Sequence, residues 1–84
     1  MTKSFLENLK KGIKKADIST IAGLWEHMKS AERTDIEILC ERKGLSLNLH
    51  NIRKILSENE SVLKAVFNNA ELAEKTDMEI LALS

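Results

Sequence analysis

Ser19–Leu39 reads STIAGLWEHMKSAERTDIEIL, and Ser61–Leu81 reads SVLKAVFNNAELAEKTDMEIL. A shift of 42 residues lays the second stretch on the first without a gap. Eight of the 21 positions are identical: Ser19/Ser61, Ala31/Ala73, Glu32/Glu74, Thr34/Thr76, Asp35/Asp77, Glu37/Glu79, Ile38/Ile80 and Leu39/Leu81. Others keep their chemistry, among them Ile21/Leu63, Trp25/Phe67, Arg33/Lys75 and Ile36/Met78. Upstream the match is thinner, though Ser4/Ser46, Lys11/Arg53 and Ile13/Ile55 still align. The chain has 84 residues, so the repeat spans all of it: one domain, 1–84, of tandem units 1–42 and 43–84.

Each unit carries the periodicity of three helices. Phe5, Leu9, Ile13 and Ala16 recur at helical spacing with lysines on the opposite face. Ser4 with Glu7 has the form of a capping box, in which two side chains satisfy free N–H groups at a helix start. Gly12 is expected to weaken this helix. A second helix is expected from Ile18 to Glu32, with Ile21, Ala22, Trp25 and Met28 on its apolar stripe and Gly23 on the flank. Thr34–Glu37 and Thr76–Glu79 have the capping-box pattern again and are expected to open the third and sixth helices. Gly44 followed by Leu45 fits a Schellman stop. Ser46 then caps a helix carrying Leu49, Ile52, Ile55 and Leu56, and Ser57–Glu60 opens the fifth. Proline is absent and alternating strand patterns are nearly so, which argues against a sheet. The expected fold is all-α: a compact bundle of about six short helices in two three-helix units. Two copies are too few for a solenoid, so they should close about an approximate two-fold axis, with the Trp25 and Phe67 stripes facing.

Composition narrows the function. Cys40 is the only cysteine, which excludes a disulfide within the chain and fits a reducing, cytoplasmic setting. No apolar run approaches the length of a transmembrane helix or a signal peptide. Formal net charge is zero, yet residues 1–16 carry +4 and residues 58–84 carry −4. A dedicated nucleic-acid protein is expected to be strongly basic overall. A domain this small has a thin stability margin, and with disulfides excluded oligomerisation is the compensation left open.

No catalytic or metal constellation stands out. His27, Cys40 and His50 lack paired-ligand spacing, so no metal or cofactor is expected. Glu37 and Glu79, with Asp35 and Asp77, read as caps and not as catalytic carboxylates. Trp25 and Cys40 read as core residues. Lys10, Lys11, Lys14 and Lys15 form a basic face, and Glu71, Glu74 and Glu79 an acidic counterpart able to steer association. Residues 36–56 have the outline of a helix-turn-helix, in which His50, Asn51, Arg53 and Lys54 would contact nucleic acid. The expectation is a non-enzymatic interaction module: a small regulator, adaptor or inhibitor that binds a protein through those lysines and glutamates, with homodimerisation open to it. The alternative is a DNA-binding regulator using residues 36–56 or the basic first helix.

Overall fold

The computed structural model describes residues 2–84. Among them are six helices and no strand: α1 Lys3–Lys15, α2 Ile18–His27, α3 Ser30–Arg42, α4 Leu49–Glu58, α5 Glu60–Asn69 and α6 Leu72–Ala82. Three starts are capped by side chains. Thr2 Oγ1 accepts from the Phe5 N–H at 3.1 Å, Asp17 Oδ1 from the Thr20 N–H at 2.9 Å, and Asn48 Oδ1 from the Asn51 N–H at 2.9 Å. The other starts, at Lys29, Asn59 and Glu71, have no side-chain cap.

These starts correct the expected capping boxes. Thr34 and Thr76 lie inside α3 and α6, and their hydroxyls donate back to the carbonyls of Ser30 at 2.9 Å and Leu72 at 3.0 Å. The chain breaks earlier, because Met28 and Lys29 are extended and Ala70 and Glu71 repeat that bend. Ser4 belongs to α1 itself, and Ser46 stays in the loop before α4. Ser57 is buried in α4, with its hydroxyl on the Lys54 carbonyl at 3.1 Å.

Helix ends use other devices. After α3, Gly44 has φ +68°, the Leu45 N–H donates to Cys40 O at 2.8 Å, and the Gly44 N–H donates to Glu41 O at 3.1 Å. That is the expected Schellman stop. Two arginines donate to carbonyls at helix ends: Arg33 Nε to Trp25 O at 3.0 Å, beside the Met28 N–H that the same oxygen accepts, and Arg53 Nη1 to Ala16 O at 2.9 Å.

One apolar cluster takes side chains from every helix, including Leu9, Ile13, Ile21, Ile36, Ile55, Leu63 and Met78. Each fully buried side chain of this size contributes about 1.5–3 kcal/mol. At its centre is α4, packed against α1, α2, α3 and α5. The Cα radius of gyration is 11.6 Å, close to the ~12 Å expected of a compact domain of this length and well short of an extended solenoid. α1 also lies along α6, and Gly12 permits the contact. A Cβ there would overlap the Leu81 carbonyl oxygen and stand 2.7 Å from its carbon. Gly12 is therefore a close-approach residue more than a helix weakness. The Trp25 and Phe67 rings do not pair among the described residues: Phe67 packs edge-on against Phe5 at 5.2 Å, and Trp25 lies under the Arg33 guanidinium at 5.4 Å.

Candidate functional site

The four lysines of α1 divide into two kinds. Lys10 Nζ lies 2.9 Å from Glu60 Oε1 and 3.1 Å from Glu7 Oε1, and these carboxylates hold its ammonium above the usual lysine range. Lys11, Lys14 and Lys15 are exposed and make no ion pair among the described residues. Of the acidic set, Glu71 pairs with Lys29 at 2.7 Å. Glu71 is held below the ordinary carboxyl range by that bond, and Lys29 is raised by it. Glu74 Oε1 is 3.6 Å from His27 Nδ1, too long for a hydrogen bond, and Glu74 Oε2 is buried without a partner. Glu79 is exposed. The basic and acidic sets thus belong to neighbouring helices, α1 and α6, without an ion pair between them among the described residues.

Residues 36–56 place α3 and α4 on either side of a six-residue connection, 43–48. Within this segment Arg53 serves the end of α1 and Asn51 Nδ2 donates to Ser46 O at 2.7 Å, while His50 and Lys54 are exposed. The helix expected to read bases is the central helix of the bundle, covered by four others. Cys40 is buried in the core, and that burial pushes its thiol up. Among the described residues no three His, Cys, Asp or Glu side chains converge as metal ligands do. No helix of the described residues is long and apolar enough to cross a membrane.

A groove of about 430 Å³ lies between α2 and α6. Leu24 and Leu81 line it together with Gly23, Glu74, Asp77 and Ile80. Gly23 has nothing within 4 Å of where a Cβ would stand, so its missing side chain widens the groove and relieves no clash. α6 is the least covered helix, with Met78 its one buried residue. Beyond the groove it displays Leu72 at 81% exposure and Leu83 at 87%, and Ile80, which lines the groove, is 59% exposed. Ile38, on α3, is also exposed.

Sequence reasoning missed this surface. Its signal is present, since the apolar residues of α6 fall on two faces. Met78, Leu81 and Ala82 turn to the core, and Leu72, Ile80 and Leu83 turn away from it. The five residues Ala31, Thr34, Asp35, Glu37 and Ile38 are exposed, and so are the identical residues 42 positions on, Ala73, Thr76, Asp77, Glu79 and Ile80. Reading Thr34, Asp35, Glu37 and their counterparts as caps hid that. No protein family, curated protein or solved structure matches this chain, so its function is to be read from its own surface.

Proposed function

We propose that the chain is a non-enzymatic protein–protein interaction module, a small cytoplasmic regulator, adaptor or inhibitor built from two tandem units. The observation that carries this reading is the uncovered apolar face of α6 beside the α2/α6 groove. A short domain gains nothing for its fold by displaying Leu72, Ile80 and Leu83 to water. Interfaces use such apolar centres with a polar rim, and Glu71, Asp77 and Glu79 supply the rim.

Several contacts support the repeat as a closed pair of units. α2 and α5 have the same bounds after a shift of 42, as do the starts of α3 and α6. Glu32 accepts from Asn69 Nδ2, and Glu74 meets His27; the two pairs are the same positions with the units exchanged. Such reciprocity is expected of a two-fold relation and not of a translated stack. Lys29 and Glu71, one position in two copies, touch each other, as residues on the axis must. Arg33 over Trp25 and Lys75 over Phe67 form a further matching pair.

Affinity capture from a lysate of the native source tests the interaction reading. Wild-type protein should retain a protein that a Leu72→Lys, Ile80→Lys double variant loses, with helical content unchanged by circular dichroism. Retention of nothing selective, or of the same proteins by both, would overturn it. Homodimerisation predicts a concentration-dependent mass in light scattering, and a strict monomer at high concentration removes it. A second reading, nucleic-acid binding through α1, is favoured by the three exposed and unpaired lysines. It predicts a mobility shift at low salt that fades steeply as salt is added.

A further inference from the structure

Six of the eight identities between the two units are at exposed positions in both copies. On the repeat reading this is the reverse of what folding alone would leave. Buried positions are constrained by packing, and exposed ones drift at little cost, usually within about 0.5 kcal/mol. Here the buried pairs have changed: Ile21/Leu63, Leu24/Val66 and Ile36/Met78. Exposed positions elsewhere have changed too: Glu26/Asn68, Lys29/Glu71 and Ser30/Leu72. Ser19/Ser61 lies in the first turn of α2 and α5, where serine suits a helix start. The other five exposed identities fall together on one face of α3 and one face of α6.

That face has the spacing of a helix-docking seam. Ala73, Thr76, Ile80 and Leu83 are separated by three, four and three residues, the a and d positions of a heptad. Asp77 and Glu79 fall at the flanking e and g positions. On α3 the seam is Ala31, Thr34, Ile38 and Glu41, flanked by Asp35 and Glu37. In each copy the threonine hydroxyl is satisfied by its own helix, at Ser30 O and Leu72 O, which leaves its methyl group for contact. The borders are acidic and carry no ion pair among the described residues. An antiparallel second copy would set Asp77 against its own equivalent, so charge complementarity selects a partner helix with basic borders.

We propose that α3 and α6 each dock an amphipathic helix of a partner protein, apolar along its seam and carrying lysine or arginine at its borders, so that one chain binds two such helices. The inference rests on the interaction and repeat readings and adds the partner's chemistry and the stoichiometry. The α6 seam ends in Leu83 where the α3 seam ends in Glu41, so α6 is the tighter of the two.

The probe is a synthetic peptide of about three heptads with leucine at a and d and lysine at e and g; its like charges also keep it from pairing with itself. The control has glutamate at e and g. Titrated into the full chain and followed by amide NMR, the lysine peptide should shift the signals of Thr34, Asp35 and Ile38 and those of Thr76, Asp77 and Ile80. The titration should saturate at two peptides per chain. Ile38→Lys should abolish the first set alone and Ile80→Lys the second alone. The glutamate peptide should bind at least about tenfold more weakly, a difference of ~1.4 kcal/mol. A single site, shifts away from both faces, or equal binding of the glutamate peptide would overturn the proposal. So would shifts of these faces with protein concentration alone, which would assign them to a second copy. If lysate capture succeeds while this titration fails, the interaction reading stands and this inference does not.

Discussion

Replacing Gly12 by alanine sets two effects of known size against each other. In an unencumbered helix the change favours the folded state by about 0.8–1 kcal/mol, since glycine loses more backbone freedom on folding. At Gly12 the new methyl would overlap the Leu81 carbonyl oxygen and lie 2.7 Å from its carbon. The obstacle is backbone, so no rotamer change relieves it, and α1 and α6 must move apart. Overpacking of this kind costs about 1–3 kcal/mol, occasionally more. The net expectation is a loss of about 0–2 kcal/mol, which lowers Tm by up to roughly 15 °C in a domain of this size. Gly23→Ala is the internal control. Nothing stands within 4 Å of its Cβ position, so only the propensity gain remains, and Tm should rise by about 3–8 °C. Thermal and urea unfolding of wild type and both variants decide the matter. A Gly12→Ala protein stabilised as much as Gly23→Ala would refute the close α1/α6 contact.

Three further outcomes follow from particular contacts. Asp17→Ala removes the acceptor for the Thr20 N–H and for the hydroxyls of Ser19 and Thr20, so it should lower Tm, with Asp17→Asn recovering most of the loss. The carboxyl of Glu71 lies below its ordinary range because of Lys29. Its contribution is therefore fully present above the unfolded-state value and is lost as pH falls through the folded one. An NMR titration of Lys29→Ala should return Glu71 to the usual range, and an unmoved carboxyl would exclude the pair in solution. The Cys40 thiol is buried and raised by that burial, so a thiol reagent at mildly alkaline pH should label native protein far more slowly than protein in denaturant. Equal rates would contradict the buried placement.

Helical class and core were legible from periodicity, because a stripe such as Leu9 and Ile13 has one way to leave water. The Schellman stop was legible for a similar reason: glycine followed by an apolar residue is a local instruction. Helix starts were less so. Thr34 and Glu37 have the spacing of a capping box, yet the bend at Met28 and Lys29 contains no glycine, proline or capping side chain to announce it. The end of α2 there is satisfied by Arg33, on the next helix, and the end of α1 by Arg53, from the other half of the chain. Neither donor can be found from local pattern. The candidate surface was obscured by the same misplacement. With Thr34 and Thr76 read as caps, the residues beside them already had an occupation; inside a helix they have none.

The contact between Lys29 and Glu71 has an evolutionary consequence on the repeat reading. A homodimer of separate short chains must set every residue on its two-fold axis against itself, so lysine there would face lysine. Joining the copies in one polypeptide lifts that restriction, since each half can mutate alone. On that reading, opposite charges at that point are a mark of divergence after fusion. Cut into halves, neither copy could rebuild the pair with a second copy of itself.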